Sequence, residues 1–239
     1  MSPEIVEILD EYYKAQADWT YQSRNYVYRR TGILGCEKPI LELGCATGVI
    51  AKELSRRSKG LVIGIDSDEA LLQKAINEPS SAVFVLADAG ELPFKDASFP
   101  AVLFHFALMW FKRPEVVIKE SRRVLCSGGF ALVLAEPDYS GAVEVPSHPS
   151  LKDVLVKSVL EAGGDPFIAP KLPSLFLKAG FNLLETGGLS KPLTGSEVLK
   201  TAPMVRLLTE TGACEKDYFN DFRPTSIFYP VYYFVFLRR

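Results

Sequence analysis

This 239-residue chain has little of what metal or disulfide chemistry needs, with four cysteines and two histidines. Cys36, Cys45, Cys126 and Cys214 show neither paired C-x-x-C spacing nor a disulfide-dense pattern, so reduced thiols are expected and a zinc site is poorly supplied. A dominant charge is missing too. With 27 basic against 29 acidic side chains, a net charge of −2 and a pI near 5.8, nothing draws the chain globally toward phosphate backbones, so nucleic acid is not an expected substrate. No run of about 18 apolar residues exists to span a bilayer. Met1-Ser-Pro-Glu4 lacks the basic and apolar regions of a secretory leader, and a cytoplasmic location is the expectation. Low-complexity segments, repeats and linkers are also lacking. A hydrophobic content of 48% suffices for one α/β core, so a single domain over residues 1–239 is expected.

What the chain does have is the run Pro39-Ile-Leu-Glu-Leu-Gly-Cys-Ala-Thr-Gly48, an apolar stretch that empties into a glycine-punctuated turn and then a helix-like stretch over residues 49–57. Gly44 and Gly48 permit backbone angles closed to other residues, and their lack of a Cβ lets a ligand approach bare backbone. A dinucleotide site wants glycines spaced G-x-G-x-x-G. Here those places hold Gly44, Ala46 and Val49, which impairs close approach of a pyrophosphate and of the helix. Nicotinamide and flavin cofactors are therefore disfavoured. Glu42 adds a carboxylate at the mouth, repelling pyrophosphate but suiting a ligand with cationic groups. S-adenosylmethionine has two, an ammonium and a sulfonium.

Two further acids follow in order. Leu61-Val-Ile-Gly-Ile65 reads as a second strand ending in Asp66-Ser67, with Asp66 placed 66 − 42 = 24 residues past Glu42. That is close to the roughly 20-residue spacing at which an acid meets a ribose. Ala82-Val-Phe-Val-Leu86 reads as a third strand leading to Asp88-Ala89, where a carboxylate can accept from the exocyclic amine of adenine beside a small residue. Each aspartate taken singly fits a helix cap or turn equally well. Three acids, each on or just after a successive strand, point to a nucleoside site.

These residues resemble the class I S-adenosylmethionine-dependent methyltransferases, particularly the branch of ubiquinone and menaquinone C-methyltransferases and small-molecule enzymes. The resemblance spans about residues 38–137. Leu92-Pro-Phe-Lys-Asp-Ala-Ser-Phe99 is similar to that branch's L-P-F-x-D-x-S-F-D segment, and Arg123-Val-Leu125 with Gly128-Gly129 to its R-V-L-x-x-G-G turn. Pro100 and Cys126-Ser127 depart from the pattern. The resemblance implies a three-layer Rossmann-like fold with a seven-stranded, mostly parallel sheet, an antiparallel last strand and an N-terminal helical lid. It implies S-adenosylmethionine as cofactor, S-adenosylhomocysteine as product, and a cofactor site formed by Glu42, Gly44, Cys45, Ala46, Gly48, Asp66, Ser67, Asp88, Ala89 and His105.

Patterning predicts helices over residues 3–17 and 20–31, four βα units over 39–123 and a fifth strand over 129–135. Helices over 148–162 and 172–179, a strand over 181–186, helices between 194 and 219 with a break at Gly212, and a strand over 227–237 complete the reading. Residues 1–35 would form a mobile cover, 36–136 the cofactor core and 137–239 the acceptor side. The first of these is rich in rings. Tyr12, Tyr13 and Trp19 fit either ordinary helix packing or a lid over the sulfonium, and Arg24 either a solvated face or a partner for the cofactor's carboxylate. After the fifth strand, Glu136, Asp138 and Tyr139 lie where open parallel sheets bind ligands, although Pro137-Asp138 also suits a turn. His105 reads either as a hydrogen-bonded structural residue or as a base.

The expected reaction is methyl transfer to a small molecule by in-line displacement, with His105 as the leading base if the acceptor must lose a proton. A protein side chain as acceptor and a non-catalytic cofactor sensor are the alternatives. The residues leave open which acceptor atom is methylated and the oligomeric state.

Overall fold

Short runs of branched and aromatic residues form the strands at the centre of this protein. They are Ile40–Leu43 (β1), Val62–Asp66 (β2), Val83–Leu86 (β3), Phe99–His105 (β4), Leu125–Pro137 (β5), Val143–Val145 (β6), Phe181–Gly188 (β7), Leu193–Thr194 (β8), Ser226–Phe228 (β9) and Val231–Arg238 (β10). The structure is a computed structural model and describes residues 1–189, 192–194 and 201–239. Seven described strands form one sheet in the order β3-β2-β1-β4-β5-β10-β7. From β3 to β5 neighbouring strands pair in parallel, whereas β10 runs antiparallel to both β5 and β7. The expected Rossmann-like sheet with an antiparallel last strand is thus present.

Helices cover both faces: Pro3–Thr31 (α1), Val49–Ser55 (α2), Glu69–Asn77 (α3), Pro114–Val124 (α4), Leu151–Glu161 (α5), Leu172–Lys178 (α6) and Ala202–Glu210 (α7). Because side chains alternate along a strand, Ile40 packs on one face with Val27 and Tyr28 of α1 and Leu54 of α2. Leu41 and Leu43 pack on the other with Ile118 of α4 and Phe176 of α6. On that second face Phe176 and Phe236 stack with centroids 4.0 Å apart.

The two expected N-terminal helices are one. No glycine or proline interrupts residues 4–31; Ser2 caps the start by accepting from the Ile5 amide at 3.4 Å, and Gly32, at φ +69°, ends the helix. The third βα unit lacks its helix, because residues 87–98 cross from β3 to β4 as turns. The helix expected from 148 begins at Leu151, where the Ser150 hydroxyl accepts from the Asp153 amide at 3.1 Å. The strand expected over 227–237 is split into β9 and β10 around Tyr229-Pro230. β9 joins β6 and β8 in a small antiparallel sheet that patterning did not reveal, its strands being two or three residues long. Residues 195–200 of the expected 194–219 helical region lie outside the described residues; α7 supplies its helix, and past the break at Gly212, at φ +73°, the chain to 219 forms turns instead of a further helix. Among the described residues no helix is long and apolar enough to cross a membrane.

Gly48 precedes α2 at φ +76°, and a Cβ there would lie 2.5 Å from the Phe84 ring. Gly48→Ala should lose about 1–2 kcal/mol to the left-handed backbone and a further ~1–3 kcal/mol to overpacking. The check is a lower urea midpoint at unchanged m-value.

Candidate active site

Parallel strands deliver their carboxyl ends to one edge of the sheet, and the strand order reverses between β1 and β4, where such sheets open a crevice. A cavity of about 740 Å³ occupies that edge. Its floor is the turn after β1. There the Gly44 and Cys45 amides both donate to the Ile65 carbonyl at 2.9 Å, and Ala46 takes a positive φ of +47°. Gly44 is needed for space as well as for its φ of +72°, since a Cβ would lie 2.9 Å from that of Ala107. Gly48 does not line the cavity; it serves the packing of α2.

The three acids expected from the sequence come together here, since Glu42, Asp66 and Asp88 all line the cavity with Cys45, Ala46, Ser67 and Ala89. Asp66 accepts from the Ala46 amide at 2.8 Å through Oδ2 and from the Asp68 amide at 2.9 Å through Oδ1. Burial raises its pKa, and these amides oppose the rise. Each carboxylate oxygen keeps a further lone pair for a ligand. Asp88 accepts from the Gly90 amide at 2.7 Å, closing the turn that follows β3. Glu42 is 3% exposed and its Oε2 has no hydrogen-bond partner. Burial pushes its pKa up to about 8, opposed by the Ala51 backbone and Arg24. A buried, unpartnered acceptor facing a cavity fits a ligand that brings a cationic N–H group.

Helix α1 forms part of the opposite wall through Ile5, Leu9, Tyr12, Tyr13 and Gln16, and Tyr139 joins them. The Tyr12 hydroxyl accepts from Gln16 Nε2 at 2.8 Å. Four other substrate-side candidates lie elsewhere. Arg24 is 1% exposed, paired with Glu53 and donating to the Ala17 carbonyl at 2.6 Å, so it is not aimed at the cavity. Trp19 sits behind the wall, its ring 6.2 Å from that of Phe106. Glu136 is fully buried and accepts from the Leu108 and Met109 amides at 3.1 and 2.9 Å, which anchors the chain leaving β4. Asp138 does not line the cavity and caps the turn at Ser140, accepting from its amide at 3.0 Å, an arrangement that fits the turn reading of Pro137-Asp138.

His105, the last residue of β4, lines the cavity, and its Nε2 lies 2.8 Å from Thr20 Oγ1 on α1. Burial and then Arg24 hold its pKa well below the usual value. Patterning missed other parts of the wall: Phe106, bent out of the strand at φ +52°, Met109, Leu155 of α5, and Leu207 and Leu208 of α7. These are apolar residues from distant segments, with no local signal separating them from core. Cys36, Cys45, Cys126 and Cys214 are free thiols, and the described residues contain no group of three or more metal-ligating side chains.

Residues 41–133 match the methyltransferase domain family. The demethylmenaquinone methyltransferase of Thermotoga maritima is 35% identical over 96 residues, covering 40% of this chain and 42% of that protein. The mitochondrial arginine-hydroxylase NDUFAF5 of Rattus norvegicus is 29% identical over 149 residues, covering 60% of this chain and 42% of its own. Among solved structures, the YcgJ protein from Bacillus subtilis superposes with a TM-score of 0.63 at 16% identity, covering 92% of this chain and 99% of that one. Over residues 41–133 the domain match and the motifs are similar to the class I S-adenosylmethionine-dependent methyltransferases, and the fold is that of Rossmann-like methyltransferase structures. The chain spans less than half the length of these two curated relatives, 42% of each.

The raised pKa of Glu42 has a definite sign. Between its ordinary value near 4.5 and about 8, the folded chain holds a proton that the unfolded chain has released, so stability falls as pH rises through that window. His105 acts oppositely, and only below about 6.5. Urea unfolding of wild type and Glu42→Gln from pH 6.5 to 8 should therefore show a shallower loss of stability with pH in the variant.

Proposed function

We propose that this protein transfers a methyl group from S-adenosylmethionine to a small-molecule acceptor by in-line displacement. The observation that carries this reading is the division of the cavity, with Glu42, Asp66 and Asp88 on the sheet side and apolar side chains of α1, α5 and α7 opposite. Its volume of about 740 Å³ lies within the roughly 300–1,000 Å³ of small-molecule sites. Glu42 would take the cofactor's ammonium, Asp66 the ribose hydroxyls, and Asp88 beside Ala89 the adenine amine. When bound, the cofactor supplies a methyl group on a sulfonium, which is a good leaving group.

The chain's own contribution is then to hold the acceptor, exclude water and stabilise the changing charge. Ile5, Leu9, Leu155, Leu207 and Leu208 suit an acceptor with an apolar body. A protein side chain would need an open cleft. Here the first half of α1, joined to α3 by the pair of Glu7 with Lys74 at 2.8 Å, and α7 wall the acceptor side. The methyltransferase named for Thermotoga maritima supports the reaction class. The arginine-hydroxylase shows that relatives carry names for other chemistry, so transfer itself must be measured.

Calorimetry should show S-adenosylmethionine and S-adenosylhomocysteine competing for one site that NAD does not enter. Asp66→Ala should weaken both by roughly 10- to 100-fold, equivalent to about 1.5–3 kcal/mol of lost hydrogen bonds to a charged group. Incubation of a cell extract with methyl-labelled cofactor should place the label in the small-molecule fraction. Label in the protein fraction would overturn the acceptor class, and no label in either would overturn the reaction.

A further inference from the structure

Thr20 is 2% exposed beneath the cavity wall, and its hydroxyl has three polar neighbours. It lies 2.7 Å from the Gln16 carbonyl, 2.8 Å from His105 Nε2, and within hydrogen-bond reach of Arg24 Nη1. A hydroxyl has one proton to donate and two lone pairs with which to accept. The Gln16 carbonyl can only accept, and two oxygens 2.7 Å apart repel unless a proton lies between them, so the Thr20 proton is committed to Gln16. Arg24 can only donate, which occupies one lone pair. The remaining lone pair faces His105, so His105 Nε2 must be the donor.

That assignment fixes the imidazole. A neutral ring with its proton on Nε2 has a bare Nδ1, and this Nδ1 has no hydrogen-bond partner among the described residues and is not sealed in the core. His105 lines the cavity, while its Nε2 edge is turned toward α1. The second half of α1 makes the arrangement rigid. Arg24 is held by Glu53, which also accepts from Arg57 at 2.9 Å, so the donor that fills one Thr20 lone pair is anchored by an ion pair. Burial keeps the ring neutral, and the Arg24 charge adds to that effect.

We propose that Thr20 is a positioning residue that holds His105 as the Nε2–H tautomer, presenting Nδ1 to the cavity as the proton acceptor for a methyl acceptor bearing an O–H or N–H group. This rests on the methyl-transfer reading for its catalytic meaning, but not for the tautomer. The balance of the step is simple. The acceptor's proton passes to Nδ1 and makes an imidazolium. The acceptor's lone pair forms the new bond to the methyl carbon, and the carbon–sulfur bond breaks with its electron pair retained by sulfur. One positive charge leaves the sulfonium and one arrives on His105.

The test is a long-range proton–nitrogen correlation spectrum of the ligand-free protein labelled with 15N-histidine. Only His105 and His148 contribute, and His105→Asn identifies the signals. Wild type at pH 7 should show His105 as the neutral Nε2–H form, Thr20→Val should shift it measurably toward Nδ1–H, and Thr20→Ser should restore it. An Nδ1–H tautomer or an imidazolium in wild type would overturn the proposal. So would an unchanged tautomer in Thr20→Val, with near-ultraviolet circular dichroism confirming that the variant is folded. With an acceptor from the labelling experiment in hand, Thr20→Val should lower kcat about 10- to 100-fold with cofactor affinity unchanged, as expected when general-base catalysis is impaired. The spectrum needs no cofactor, so it fails or succeeds independently of whether methyl transfer occurs.

Discussion

The carboxylate of Asp66 is the interaction on which the site depends. It ends β2, yet its two oxygens are spent on amides in two different loops, that of Ala46 in the turn after β1 and that of Asp68 at the cap of α3. A turn with Ala46 at positive φ is held in that shape by the bond that receives its N–H. The same group therefore builds the floor of the cavity and stands in it. Its remaining lone pairs therefore face the cavity from a position that its first two bonds define.

A second constraint acts from the other side of β1. Glu42, Arg24, Glu53 and Thr20 form a polar layer between α1, α2 and the sheet, in a region otherwise filled by Val27, Tyr28, Ile40 and Leu54. Burying an arginine is costly unless its donors are satisfied. Here Glu53, the Ala17 carbonyl and Thr20 receive its Nη groups. The consequence is a division of α1. Ala17, Val27 and Tyr28 pack into the core beside α2, whereas Ile5, Leu9, Tyr12, Tyr13 and Gln16 line the cavity, with Val6 and Ile8 buried between them and with exposed or partly exposed pairs such as Glu7 with Lys74 and Glu11 with Arg206 at the surface. Exposed pairs of this kind contribute little to stability.

Fold and reaction are distinct conclusions. The sheet order shows the first, with a methyltransferase-domain match over residues 41–133. The second has to come from the site, because one fold hosts many chemistries. What this chain's site offers is an acid-lined sheet side, an apolar wall opposite it, and an imidazole between them whose proton position is dictated by Thr20. None of the three acids is arranged as a nucleophile. The chemistry the chain can perform on its own is binding, exclusion of water and proton removal, which suits a cofactor that carries its own leaving group.

The first five strands along the chain, the glycine turn, and the acids Glu42, Asp66 and Asp88 were legible in the sequence by itself. Each is a local signal: an apolar run, then a residue whose backbone or charge has a purpose at a strand end, at spacings set by the βα repeat. The tertiary structure decided which of several equal-looking polar residues line the cavity. Arg24, Glu136 and Asp138 are as polar and as well placed in the chain as Asp66, yet they serve an ion pair, a backbone anchor and a turn cap. Whether a buried charge serves the fold or the site depends on partners many residues away, Glu53 for Arg24 and the chain beyond β4 for Glu136, and these are met only when the layers close. The proton on His105 is decided in the same way, because it follows from three hydrogen bonds of a threonine 85 residues earlier in the chain.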